Sequence, residues 1–211
     1  HVPYTAPKEY FDIYDLDQIK IPEFPDNEMS DIPNLGKSIA FGTIKTGDHF
    51  AVVNLSDSYW KELVYGYLAC VSFVDDQAGK VIEALENSKY ADNTIVVLWS
   101  DHGQHLGEKK HWRKQALWEE STKVPLLFKM PGQKEGEKCE QVVSLLDIFP
   151  TLVDLCKLPF SGKLEGEILT PLINNPEMKW EKPVLNSWYY GNYAVRSNNW
   201  RYIQYRDGSE E

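Results

Sequence analysis

The stretch Thr94-Ile95-Val96-Val97-Leu98-Trp99, followed at once by Ser100-Asp101-His102-Gly103, constrains this chain most. A short apolar run rich in β-branched residues, bounded by Tyr90-Ala91-Asp92-Asn93 and then by a polar quartet, reads as a buried strand of a parallel sheet. Open α/β sheets bind ligands just past the carboxyl ends of their strands. There Asp101 offers an anionic oxygen to a cation and His102 an imidazole, and Gly103 permits a tight turn. The loop 104–114 holds Gln104, His105, Gly107 and His111, and residues 108–114 set four cations against one carboxylate. By itself such a charge run is the solvated face of a loop. A second apolar run, 124–129, follows.

Upstream, residues 59–88 carry the clearest helical pattern. Leu63, Val64, Tyr67, Leu68, Val71, Val74, Ala78, Val81, Ile82 and Leu85 recur at three- and four-residue steps. Asp57 or Ser58 is the expected cap, and Asp75 and Asp76 read as a solvated pair. Residues 1–40 are rich in proline and aromatics and favour extended segments, with one helical turn over 9–15 after Pro7. Residues 26–58 read as loop with short pieces of structure, and a connection of that length is usually functional, such as a pocket wall. After Pro131-Gly132, residues 142–156 predict a helix with Pro150 near its first turn or at a kink. Residues 162–176 read as loop. The tail predicts strands at 184–188, 193–197 and 200–205, the last two joined by the two-residue turn Asn198-Asn199.

A chain of 211 residues buries a sizeable core. Its net charge of −10 argues against a general nucleic-acid or membrane-surface binder, while a local basic pocket suffices for an anionic substrate. Cys70, Cys139 and Cys156 form no CxxC spacing; Cys70 and Cys156 sit in apolar periodic segments and read as core thiols. No apolar run is long enough to span a bilayer. The chain begins His1-Val2-Pro3 without Met, which points to a processed or removed upstream segment.

The order Ser100-Asp101-His102-Gly103, Leu106-Gly107-Glu108, Trp112-Arg113-Lys114 and Val124-Pro125-Leu126 resembles the sulfatase family of the alkaline phosphatase superfamily, and its iduronate-2-sulfatase-like members most. His1-Val2-Pro3 with Ala6-Pro7 and Tyr10, the helix from Tyr67 to Gly79, Asp147-Ile148-Phe149-Pro150-Thr151-Leu152, and Arg201-Tyr202-Ile203 with Asp207-Gly208 resemble further family segments in the same order. The resemblance implies an α/β fold: a mixed, mainly parallel sheet flanked by helices, then a small antiparallel C-terminal portion. Residues 1–176 would belong to the sulfatase α/β domain and 177–211 would start a C-terminal subdomain. Asp101 and His102 match positions that bind a divalent cation, usually Ca2+, which favours oxygen over nitrogen ligands. Lys114 matches a lysine that contacts the sulfate and the nucleophile, and His1 a histidine at the leaving oxygen. Gln104, His105 and His111 are candidate substrate contacts. The implied reaction is hydrolysis of a sulfated saccharide, in a secreted, periplasmic or lysosomal setting, with no nucleic acid or membrane partner. Without the resemblance, Asp101 serves equally well as a turn cap, His105 and His111 as surface histidines, and Lys114 as an exposed lysine.

Sulfatases take their formylglycine from a Cys/Ser-x-Pro-x-Arg motif. Cys70-Val71-Ser72, Cys139-Glu140-Gln141 and Cys156-Lys157-Leu158 do not fit it, and no Ser starts one. The expectation is therefore a C-terminal half that lacks its nucleophile and the Asp-Asp part of the metal site, inactive alone and completed by the N-terminal half of the same enzyme. Two other readings stand beside it. One is a zinc-dependent phosphatase or phosphodiesterase of the same superfamily, disfavoured because His49 is the only histidine between His1 and His102. The other is a non-catalytic module whose aromatic side chains stack on sulfated sugars.

Overall fold

In the computed structural model, which describes residues 3–41 and 47–211, the elements follow the chain as α1 (Lys8–Phe11), α2 (Asn34–Phe41), α3 (Asp48–Leu55), α4 (Asp57–Glu86), β1 (Val96–Trp99), β2 (His105–Leu106), β3 (Trp112–Arg113), α5 (Glu119–Thr122), β4 (Leu126–Lys129), α6 (Ile148–Leu155), α7 (Thr170–Asn174), β5 (Val184–Ser187), β6 (Tyr193–Arg196) and β7 (Arg201–Gln204). They form two compact units: residues up to Thr94 with Gly103–Lys123, and Ile95–His102 with Val124–Glu211.

The first unit is built on α4. Its cap is Ser56, whose Oγ accepts from Tyr59 N at 3.1 Å, rather than Asp57 or Ser58. The proline- and aromatic-rich N-terminal segment is strapped along this helix. Tyr10 donates to Asp76 at 2.6 Å, Tyr14 pairs with Ser72 at 2.6 Å, and Tyr65 donates to Phe11 O at 2.9 Å. Tyr10–Phe73 and Phe11–Tyr65 ring contacts fill the space between. Asp76 is thereby partly covered and also pairs with Lys80 at 2.7 Å. Val64 and Ala69 are buried, but Val71, Val74 and Val81 on the second half of the helix face solvent. Residues 26–58 hold more helix than their pattern suggests. α3 has apolar residues on every side, with Val52 buried and Phe50, Val53 and Leu55 exposed, so no period marks it.

In the second unit β1 and β4 pair antiparallel, Val96 opposite Lys129 and Trp99 opposite Leu126. All strand pairing among the described residues is antiparallel, so the mainly parallel sheet is not what these residues form among themselves. Nor is β1 fully buried: in this two-stranded ribbon Leu98 and its partner Leu127 are exposed on one face and Trp99 on the other. The core of this unit gathers Leu169, Leu172 and Trp180 with Leu126, Phe128 and Val143. α7 lies inside the stretch expected to be loop, with Pro171 in its first turn. Cys156 is an exposed residue at the end of α6 rather than a core thiol, and Cys70 is half-buried. β5, β6 and β7 form an antiparallel sheet; Ser197 N donates to Trp200 O at 2.8 Å and closes the Asn198-Asn199 turn.

The segment around Pro150 is a hydrogen-bonded joint. Ser144 and Asp147 form a capping box, and Pro150 sits in the first turn of α6, where its missing N–H costs nothing. Asp147 also accepts from Glu167 N at 2.7 Å. Thr151, fully buried, donates to Asp147 O at 2.6 Å and accepts from Leu169 N at 2.8 Å. Thr151→Val keeps the shape and strands the Leu169 N–H, so it is expected to lower unfolding free energy by about 2–3 kcal/mol, read from urea midpoints.

Candidate functional site

The polar quartet is divided between the two units. In the second unit, Ser100 N donates to Pro125 O at 3.3 Å, which extends the β1–β4 ladder by one step, and Ser100 Oγ donates to His102 O at 2.8 Å. These bonds fix the chain just past the strand end. His102 Nε2 lies 3.6 Å from Asp101 Oδ1, and the Asp101 side chain is 82% exposed. An exposed carboxylate beside an imidazole at that separation can offer both donor atoms to one cation. They amount to two ligands of a larger set, and among the described residues no group of three or more acidic, His or Cys side chains could hold a metal.

In the first unit the cationic loop is held by backbone and ring contacts. Gly103 N donates to Ser121 O at 2.8 Å, and Gln104 donates to the Tyr4 hydroxyl at 2.8 Å. β2 and β3 pair antiparallel, His105 opposite Arg113 and Leu106 opposite Trp112. Trp60 Nε1 donates to Leu106 O at 2.7 Å, and its ring lies where a Cβ on Gly107 would stand, 2.1 Å away. Gly107 has φ +121°, so glycine is required on both counts. Lys109, Lys110 and Arg113 adopt left-handed φ values of 52°, 54° and 72°. Non-glycine residues hold such backbone only where surroundings enforce it. Here the Glu108 carboxylate accepts from Leu106 N at 2.6 Å and Glu28 from Lys109 N at 3.0 Å. Asp48 pairs with Arg113 at 2.9 Å. Lys114 follows, exposed, and its carbonyl accepts from Ala116 N at 2.9 Å.

His105 and His111 lie inside this unit, not on its surface. They meet edge to face at 4.8 Å, and Trp118 closes on both at 5.9 Å. His105 Nδ1 faces Glu108 O at 3.2 Å, and its Nε2 stands 3.8 Å from Glu120 Oε2, too far for a hydrogen bond. Desolvation, then His111, pushes the His105 imidazole down to about 3. The Glu108 carbonyl, which the imidazole faces, opposes this only in part. The unfolded chain takes up a proton near pH 6.5 that the folded chain takes up only near pH 3. The contribution of His105 to stability is therefore complete above pH 6.5 and falls as pH drops through that window, by on the order of 3–5 kcal/mol at its lower end. His105→Gln is expected to flatten the dependence of the urea midpoint on pH between 6.5 and 3; an unchanged slope would show that another group sets it.

The structure thus joins Asp101 to His102 and His105 to His111, takes Gln104 to Tyr4, and leaves Lys114 exposed beyond β3. His1 lies outside the described residues. The stretch 26–58, whose pattern reads as loop but which holds α2 and α3, supplies Glu28, Asp48 and His49, which the motif pattern did not single out. Its length, read as that of a pocket wall, was the signal.

Residues 1–158 match the Sulfatase family, and residues 107–211 match the family described as N-sulphoglucosamine sulphohydrolase, C-terminal. A protein of Formosa agariphila named Sulfatase is 40% identical over 211 residues, all of this chain and 41% of that protein. Iduronate 2-sulfatase of Mus musculus is 28% identical over 200 residues, covering 75% of this chain and 34% of that one. Among solved structures, a phosphonate monoester hydrolase from Silicibacter pomeroyi superposes with a TM-score of 0.83 at 22% identity, over all of this chain and 47% of that one. The chain belongs to the sulfatase family. It spans well under half the length of the curated relatives it matches, and it shares the fold of that hydrolase over the part that it spans.

Proposed function

We propose that this chain is the C-terminal part of a sulfuric ester hydrolase that acts on sulfated saccharides. The observation that carries the proposal is the pairing of Asp101 and His102 past the end of β1, followed in the chain by a braced cationic loop that ends on an exposed Lys114, in a member of the sulfatase family. The saccharide is suggested by the name of the iduronate relative. Asp101 and His102 would hold calcium, with Asp101 the better donor for a hard cation. Bound there, calcium would supply positive charge to a sulfuryl oxygen. Lys114 places an ammonium where charge develops on the sulfuryl oxygens. His1 donates a proton to the leaving oxygen, a task suited to an imidazole that titrates near neutrality. The nucleophile, a formylglycine hydrate, comes from a Cys/Ser-x-Pro-x-Arg segment outside these residues.

The exposed apolar residues of the two units support the same reading. Val71, Val74 and Val81 on α4, and separately Leu98, Trp99 and Leu127 on the β1–β4 ribbon, are surfaces that a core would cover. We assign them to the N-terminal half of the catalytic domain, including strands parallel to β1. No helix among the described residues is long and apolar enough to cross a membrane, and the expected setting is extracytoplasmic or lysosomal.

The test is intact-mass and peptide-map analysis of the natural protein, followed by turnover of a sulfate ester. A formylglycine-bearing peptide upstream of His1, with activity in the whole protein and none in residues 1–211 alone, is the expected result. Turnover by residues 1–211 alone would overturn the proposal. The phosphonate hydrolase likeness favours a second reading, phosphoester or phosphonate hydrolysis on the same fold. Bound zinc instead of calcium, with phosphodiester turnover exceeding sulfate ester turnover, would select it.

A further inference from the structure

Two consecutive residues at the start of α3 are fastened to two consecutive residues of β3. Asp48 takes the Arg113 guanidinium through both oxygens, at 2.9 Å to Nε and 3.1 Å to Nη2. The next residue, His49, accepts from Trp112 Nε1 on its Nδ1 at 3.3 Å. Its ring also stands edge-on against Trp60 at 5.1 Å, and Trp60 packs on Trp112 at 5.8 Å. An indole N–H only donates, so Nδ1 of His49 bears the lone pair and the proton of the neutral ring sits on Nε2. Burial, then the neighbouring Lys110 ammonium, lowers the basicity of the imidazole and keeps it neutral. The ring is nevertheless partly exposed. The carboxylate nearest in sequence, Asp48, is already neutralised by Arg113.

A fixed N–H donor beside an ammonium, with the adjacent carboxylate spent on a guanidinium, attracts an anion and repels a cation. The spot is local: the chain as a whole carries −10. It is also close to Lys114, since Trp112 precedes that lysine by two residues, at most ~7 Å of backbone. We infer that His49, with Lys110 beside it, is a specificity-determining contact for a second anionic group of the substrate, a carboxylate or further sulfate on the saccharide whose scissile sulfate lies at Lys114. This rests on the hydrolase reading above.

The test uses the full-length protein and two variants. His49→Phe keeps a ring between Trp60 and Trp112 but removes both nitrogens. His49→Asn keeps an acceptor for Trp112 and an N–H facing outward. KM is measured for an aryl sulfate with one anionic group and for a sulfated disaccharide that also bears a uronic carboxylate. His49→Phe is expected to raise the disaccharide-to-aryl KM ratio about tenfold, the loss of one charge-assisted hydrogen bond, and His49→Asn to restore most of it. A ratio unchanged in both variants would overturn the inference. The dissociation constant of the disaccharide, by titration calorimetry, decides the matter independently of turnover. A wild-type protein that hydrolyses neither ester removes the hydrolase reading, and equal affinity of wild type and His49→Phe for the disaccharide removes the role of His49.

Discussion

Replacing Lys114 with methionine in the full-length protein is expected to lower kcat/KM for a sulfate ester by about 10²–10³-fold, the loss seen when one preorganised charge stabiliser is deleted. The side chain lies in solvent, yet its backbone is held at both ends. Trp112 is buried two residues before it, and Ala116, Leu117 and Trp118 are buried just after it. Arg113, anchored on Asp48 with φ 72°, turns the chain between them. A cation so placed serves charge that develops on a bound group and does little for folding, since exposed side chains contribute only tenths of a kcal/mol. The urea midpoint of Lys114→Met should therefore match wild type while kcat collapses. Lys114→Arg should recover only part of the rate, because a planar fork cannot take the place of a compact ammonium. A loss below about threefold in kcat/KM would remove Lys114 from the site.

The legible parts of this chain are those whose signal is local. The recurrence from Leu63 to Leu85 is helical in any surroundings, and α4 spans it. Asn198-Asn199 between two β-prone runs closes as the predicted hairpin. Pro150 three residues into an apolar run sits where a helix tolerates it. The direction of strand pairing is not local. The run Thr94 to Trp99 serves a parallel or an antiparallel neighbour equally well, and only its pairing with Leu126–Lys129 decides. The braces of the cationic loop were hidden for a related reason. Glu28 reaches Lys109 across 81 residues, and Asp48 reaches Arg113 across 65. No window of sequence contains both partners. His105 and His111 look like surface residues because their neighbours in sequence are charged. Trp118 and the turn at Gly107 bury them.

Gly103→Ala is expected to cost about 3 kcal/mol or more of unfolding free energy, although the residue does not adopt a positive φ. A Cβ there would stand 2.0 Å from Glu120 O, 2.9 Å from Glu120 C and 3.0 Å from Lys123 O. All three are backbone atoms, so no side-chain rotation relieves the clash and the 119–123 segment must move. That segment also receives the Gly103 N–H on Ser121 O, at 2.8 Å, and its displacement would strand two buried backbone groups. Gly79 is the contrast, because nothing lies within 4 Å of a Cβ at that position of α4. Gly79→Ala should stabilise by about 0.5–1 kcal/mol through helix propensity alone. Urea midpoints of the two variants should therefore move in opposite directions. If Gly103→Ala unfolds like wild type, segment 119–123 does not close on the motif. The glycine would then owe its place beside Asp101 and His102 to the bound substrate, and the same variant would show it as a raised KM at unchanged stability.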